Sequence, residues 1–241
     1  MSNSFSVEDK HDLIVLTPRL KLVAEFLSVL NVATVADVGT DHAKLPIFLI
    51  QNNICNKVYA SDVAVGPLTS ARNNLKCYGI SSSDVNVFLS DGLKNIPNDY
   101  NAVSITGMGG LLIAEIISAA PFNIPFVLNP MSSVEDLRRF LYLNSWEILD
   151  ENIAVEDRRY YPVILAEKTG IKSDYSDFDC FFSKSLVNKY NTSEAVNKYI
   201  DYTMNKLRRN YNHKLQSRKQ SEDYLELKNV IDSCDIIFGK G

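Results

Sequence analysis

The 241-residue chain has four cysteines, Cys55, Cys77, Cys180 and Cys234, and no C-x-x-C pair among them. That spacing excludes a zinc ribbon and a disulfide-stapled scaffold, and it makes reduced thiols in a cytosolic setting the expectation. No apolar run approaches the roughly 18 residues of a membrane span. The opening segment MSNSFSVEDKHD is too polar and acidic for a signal peptide. A cytoplasmic protein without a membrane partner is therefore expected. Of three histidines only His42 falls within a motif, and one histidine among scattered acids makes no metal site. No Ser-His-Asp or Cys-His arrangement is evident. A dinucleotide fingerprint is missing too: Gly107-Met108-Gly109-Gly110 follows a strand-like run, but Leu112 stands where the third glycine of G-x-G-x-x-G belongs. With 46% hydrophobic and 22% charged residues, the composition is that of a globular protein with one large domain or a domain plus an appendage.

What is present is a regular alternation. The segment 18–30 begins with Pro18 and carries apolar residues at helical spacing. Strand-like runs at 33–38, 57–61, 85–89, 101–106 and 124–128 then alternate with helix-like runs. These helices are expected at 43–52, 66–78, 111–119 and 133–143, with Gly79 stopping the second and Ser132 or Ser133 capping the last. Repeated strand–helix units force parallel pairing with right-handed crossovers. Two β-like stretches, 146–155 and 159–168, are separated only by the turn Glu156-Asp157 and should close the sheet as an antiparallel edge hairpin. The pattern gives a doubly wound α/β fold; a late antiparallel strand is the layout of Rossmann-like class I methyltransferases.

After Gly170 the character changes. Residues 192–217 and 220–236 contain no Gly or Pro. Ile200, Met204, Leu207 and Tyr211 on one side, and Tyr224, Leu227, Ile231 and Cys234 on the other, fall at spacings of three and four. That is the seam of a short, coiled-coil-like helical hairpin. Residues 1–170 carry a net charge of −6 and residues 171–241 one of +2, and within 183–220 nine basic residues face only Glu194 and Asp201. A basic segment on an acidic body suits a polyanion, although a solvated helix face has the same composition. The division expected is 1–170 for an α/β domain and 171–241 for a helical, basic one.

The chemistry-bearing residues sit at strand ends. The first strand ends Asp37-Val38-Gly39-Thr40-Asp41-His42. A strand, a glycine turn and a helix build a nucleotide pocket in an open sheet, but two acids would repel a pyrophosphate. They suit a cofactor with a positive centre and free hydroxyls. The alternative is that Asp41 caps the following helix. Asp62 ends the second strand, 23 residues after Gly39, near the offset at which an acid meets ribose hydroxyls; its alternative is again a helix cap. Asp91-Gly92 ends the third strand and Asn129-Pro130-Met131 the fifth. Asn129 could bind an amino group such as adenine N6, or be an ordinary turn residue.

Together, ADVGTDHAKLPIFL, YASDVAVGPLTSARNN, SDGL, ITGMGG, NPM and YYPVILAE resemble the bacterial tRNA (adenine(22)-N(1))-methyltransferases, the TrmK family, from about Arg19 to Lys168. The resemblance implies S-adenosylmethionine as cofactor, tRNA as partner and methylation of adenine N1, with no metal needed. The sequence does not fix the oligomeric state, and a monomer is favoured. Carried over by position, Asp37, Gly39, Thr40, Asp41 and His42 line the methionine side. Asp62, flanked by Ser61 and Val63, holds the ribose. Asp91 and Gly92 border the donor adenine, and Gly107, Met108, Gly109 and Gly110 lie between cofactor and target base. Asp37 and Asp41 are candidates for stabilising the methylated cation, and Asn129 for holding the acceptor base. Arg19, Lys198, Lys206, Arg208, Arg209, Lys214, Arg218 and Lys219 are the candidate RNA contacts. Two rival readings are a small-molecule methyltransferase with a dimerising tail and a non-catalytic RNA-binding protein.

Overall fold

The computed structural model describes residues 13–121, 123–216 and 222–239. The α/β part runs α1 (Pro18–Ser28), β1 (Thr34–Val38), α2 (Lys44–Gln51), β2 (Lys57–Asp62), α3 (Val65–Cys77), β3 (Val85–Leu89), β4 (Ala102–Met108), α4 (Gly110–Ile117), β5 (Pro125–Pro130), α5 (Val134–Leu143), β6 (Trp146–Glu156) and β7 (Arg159–Lys168). The strands form one seven-stranded sheet in the order β3-β2-β1-β4-β5-β7-β6. β7 pairs antiparallel with both β5 and β6, and the remaining pairs are parallel. From β1 the chain winds outward through β2 to β3, then returns to place β4 on the other side of β1. That reversal opens a crevice beyond the carboxyl ends of β1 and β4.

Side-chain alternation sorts the strand residues onto two faces. Val35, Val58, Val85, Ala102 and Val127 pack with residues of α1, α2 and α3. Ala36, Val38, Val103, Ile105, Phe126 and Leu128 pack with α4, α5 and Trp146, whose indole meets Phe126 edge-to-face at 5.0 Å. Burial on both faces explains why the central strands read as near-continuous apolar runs.

Neither the expected Ser132 or Ser133 cap of α5 nor the alternative Asp41 cap of α2 forms. Ser133 occupies the N-cap position of α5 but in a left-handed conformation without a capping bond, and α2 is preceded by left-handed Ala43, not capped by Asp41. Both helices begin from tight backbone turns, which set the chain direction where a side-chain cap was expected. Gly79, at φ +65°, does terminate α3: its N–H and that of Ile80 return to the carbonyls of Lys76 and Leu75. The hairpin turn is Asp157-Arg158, one residue beyond the expected Glu156-Asp157.

The helical region holds α6 (Asp177–Phe181), α7 (Lys184–Lys189), α8 (Glu194–Gln216) and α9 (Glu222–Phe238). The two short helices were not foreseen. Ile200, Met204, Leu207, Val230 and Cys234 form the α8–α9 seam, and Ile153 of β6 joins the same core. Tyr211 and Tyr224 stack at 4.9 Å near the far end. α7 also covers the sheet edge. The Glu151 N–H donates to Ser185 Oγ (3.0 Å), and its carbonyl accepts from Lys189 Nζ (2.8 Å), so the outer strand offers no free pairing groups there. The joint is a buried ion pair: Arg138 of α5 grips Glu151 of β6 (Nη2–Oε1 2.6 Å). It also donates to the carbonyls of Cys180 and Phe181 and to Tyr199 Oη.

Candidate active site

The crevice at the switch point is a cavity of about 430 Å³ lined by Asp37, Gly39, Thr40, Asp41, His42 and Asp62, with Gly107 and Met108 across from them. β1 delivers Asp37 to its floor. The side chain is 2% exposed, and Ser104 Oγ donates to it at 2.7 Å. Burial pushes its carboxyl up to about 6, against the lowering effect of the Ser104 hydroxyl. The turn above is pinned to β2, because the N–H groups of Gly39 and Thr40 both donate to the Ser61 carbonyl at 2.9 Å. Gly39 sits at φ +77°, and a Cβ there would lie 2.4 Å from Met108 Cε. Only glycine permits both the turn and the methionine crossing it. Asp62 Oδ1 accepts from the Ala64 N–H at 2.9 Å, forming a local turn and leaving its carboxylate at the cavity wall.

Among the described residues, three buried side-chain polar atoms have no hydrogen-bond partner: Thr17 Oγ1, Thr40 Oγ1 and Trp146 Nε1. Thr17 and Thr40 both line this cavity. An unpaired buried hydroxyl costs about 1–3 kcal/mol, so two in one hollow mark a place shaped for a polar ligand. The charges are mixed. The three acids share the cavity with Arg19 and Lys44, a combination that suits a zwitterion. Among the described residues there is no cluster of three or more His, Cys, Asp or Glu able to hold a metal.

Several candidate residues lie elsewhere. Ser61 contributes its backbone, its hydroxyl donating to the Asp37 carbonyl at 3.4 Å. Val63 is exposed beyond the cavity. Asp91 is paired with Lys94 at the surface (2.5 Å), and Gly92, at φ +59°, packs against Ile116. Gly109 is the N-cap of α4. At Gly110 a Cβ would come 2.2 Å from the Ser133 carbonyl oxygen, so that glycine closes α4 onto the start of α5. Asn129 is fully buried, donating to the Pro162 carbonyl (2.9 Å) and accepting from Arg19 Nη1 (3.4 Å). Its amide faces protein on both sides.

Arg19 is not on the helical arm. α1 carries it over the crevice, where it approaches Glu156 (3.8 Å) as well as Asn129. Thr17, Leu20, Lys44, Leu45, Pro67 and Thr106 complete the lining and were missed in the sequence. The only signal for Thr17 was its place before Pro18, and nothing local says that a helix preceding β1 folds back over the end of the sheet. On the arm, Lys198 is paired with Glu194 (2.5 Å) and Arg208 with Asp235 of α9 (2.5 Å). Arg209 Nε donates to the Asn205 carbonyl. Lys206 and Lys214 line a second hollow of about 580 Å³ between α8 and the segment Pro130–Val134. Arg218 and Lys219 lie outside the described residues.

A sheet of this order with one reversed strand, bearing a polar, acid-lined cavity at its switch point, defines a Rossmann-like methyltransferase. The sequence model of the tRNA (adenine(22)-N(1))-methyltransferases, TrmK, matches residues 35–235, and the chain belongs to that family. It is 34% identical over 157 residues to the tRNA (adenine(22)-N(1))-methyltransferase of Bacillus subtilis, an alignment covering 63% of this chain and 65% of that protein. The structure of M. capricolum TrmK in complex with S-adenosyl-homocysteine superimposes with a TM-score of 0.76 at 29% identity, covering 92% of this chain and 98% of that one. A protein of the NADB-Rossmann superfamily from Streptococcus agalactiae superimposes with a TM-score of 0.79 at 28% identity, covering 93% and 98%.

Proposed function

We propose that the protein transfers a methyl group from S-adenosylmethionine to N1 of an adenine in tRNA, position 22 being the one its family membership implies. The observation that carries this reading is the pair of hollows sharing one wall. Arg19 lines the smaller and Pro162 the larger, and Asn129 is bonded to both. Met108 lines the smaller and Met131 the larger, and the Met131 N–H donates to the Met108 carbonyl at 2.8 Å. A donor on one side and a nucleotide on the other would meet at that wall.

The residues of the smaller hollow fit the donor. Asp37 and Asp41 suit its ammonium, Asp62 its ribose hydroxyls, Arg19 its carboxylate, and the orphaned Thr17 and Thr40 hydroxyls its remaining polar atoms. Bound there, S-adenosylmethionine supplies an electrophilic methyl group. The protein's part is positioning. Adenine N1 has an in-plane lone pair and needs no base to expose it. N1 lies on the pairing edge, so the acceptor must be unpaired or extruded before it can reach the wall. Residues 1–170 would hold the donor, and 171–241 would supply phosphate contacts through Lys206 and Lys214. Glu156 lies within reach of Arg19 and keeps that guanidinium oriented over the crevice.

The test is to incubate the protein with tRNA and isotopically labelled methyl donor, digest the RNA, and map the label by mass spectrometry. One labelled N1-methyladenine, at position 22, is expected. Label on no nucleotide, or on a different atom, overturns the reading.

A further inference from the structure

Beside the shared wall lies a third depression, of about 300 Å³, that the donor and phosphate assignments leave unused. It is lined by Met131, Arg158, Arg159, Tyr160, Tyr161 and Tyr202. Met131, Tyr160 and Tyr202 also line the 580 Å³ hollow, so the two are continuous. Resting on the function proposed above, we propose that this groove binds the single-stranded RNA beside the target adenine, with a base stacked on Tyr202 and phosphates held by Arg158 and Arg159.

Three observations support this. The first is aromatic. Tyr202 is 52% exposed, an unusual cost for a ring of that area, and it is held upright by Tyr160 at 5.5 Å, itself braced by Tyr199. A fixed, half-exposed ring is a stacking platform, and stacking accepts any base. The second is charge. Arg158 and Arg159 are exposed, and no carboxylate of the described residues pairs with either. The hollow's acids, Glu135 and Glu226, are outnumbered, and Glu226 is already held by Arg139 (2.5 Å).

The third is backbone strain. Asp157 and Arg158 sit at φ +48° and +62°, as both central residues of a tight hairpin turn must. The second of these positions favours glycine. An arginine there is tolerated against local preference, and such residues gather at functional sites. A groove that is cationic, aromatic and continuous with the acceptor hollow fits unpaired RNA. A duplex would present phosphates but no base faces.

The experiment uses the intact protein and two RNA probes of about a dozen nucleotides, one single-stranded and one a blunt duplex. Wild type should bind the single strand more tightly. Tyr202→Ala should weaken single-strand binding about tenfold and erase the preference, whereas Tyr202→Phe, which keeps the ring, should behave as wild type. Arg158→Gly relieves the positive φ, so its unfolding midpoint should hold or rise while single-strand affinity falls several-fold and Arg158→Lys restores it. On tRNA the Tyr202→Ala defect should appear in KM, with kcat and the calorimetric Kd for the methyl donor unchanged. Equal binding of both probes by wild type, no RNA binding at all, or a Tyr202→Ala variant indistinguishable from wild type overturns the groove. A wild-type protein that binds the single strand but methylates no tRNA overturns the proposed function and leaves the groove standing.

Discussion

The crevice beyond β1 and the face of α8 are both polar, in opposite ways. In the crevice the central charge is buried and fixed. Asp37 is buried against Ser104, and the turn above it is tied to Ser61. On α8 the charges are numerous and exposed, and several are spent locally, as Lys198 is on Glu194 and Arg208 on Asp235. In the first region a residue's role follows from where a strand ends. In the second it follows from what else lies nearby, and composition carries no such information.

The largest effect is expected where the two regions meet. Arg138→Ala leaves Glu151 buried without its partner and frees the carbonyls of Cys180 and Phe181. Breaking one side of such a pair costs about 3–5 kcal/mol. Denaturant unfolding should show the sheet and helical region losing stability together. A loss below about 1 kcal/mol would mean that the two regions are held by apolar packing alone. Replacing both partners, as Arg138→Met with Glu151→Leu, should cost less than the single change.

The next effect separates binding from stability within the crevice. Asp37 titrates near 6 in the folded protein, against about 4 in an unfolded chain. Folding therefore favours the protonated acid. This group's contribution is fully present below about pH 4 and lost as the pH rises through 6, a change of about 3 kcal/mol. Asp37→Asn should flatten the stability profile between pH 4 and 7 and raise stability at neutral pH, while weakening donor binding in calorimetry. Donor affinity of the wild type should rise with pH through about 6. Parallel stability profiles for the two proteins would show that Asp37 is not the buried acid responsible. A smaller effect is expected at the cavity wall: Asp62→Ala should weaken donor binding by ~1–3 kcal/mol through loss of a charged acceptor, and unchanged affinity would remove Asp62 from the ribose role.

The same contrast governs how much could be read from the sequence. The strands and their ends were legible because burial on two faces makes apolar runs and because each polar switch, Asp37 or Asp62, falls at a carboxyl end. The acid pair around Gly39 was legible as a site because its spacing to Asp62 is local information. Arg19 was assigned to RNA on charge alone, and only the path of α1 over the sheet brings it beside Asn129. Gly110 was expected between cofactor and target base, whereas Ser133 fills the space beside it. The Tyr160–Tyr202 contact joins β7 to α8, a pairing that no periodicity within either segment encodes. Caps failed as start signals for α2 and α5 because left-handed backbone at Ala43 and Ser133 turns the chain without side-chain help.

The smallest effect is the sharpest test of the arm. Arg208 and Lys206 are two residues apart on α8 and look alike in the sequence. Arg208 bridges to Asp235 with both side chains about a third exposed, so Arg208→Gln should cost under about 1 kcal/mol of stability and leave RNA affinity nearly intact. Among the described residues no acid bridges to Lys206, which lines the acceptor hollow. Lys206→Gln should leave stability unchanged, weaken tRNA binding, and lower the slope of log affinity against log salt by about 1, as loss of one phosphate contact requires. Both values come from one salt series per variant. If Arg208→Gln lowers the slope and Lys206→Gln does not, the RNA lies on the side of α8 facing away from the crevice. The shared wall between donor and acceptor would then lose its meaning, because a nucleotide held on that side would not reach Met131.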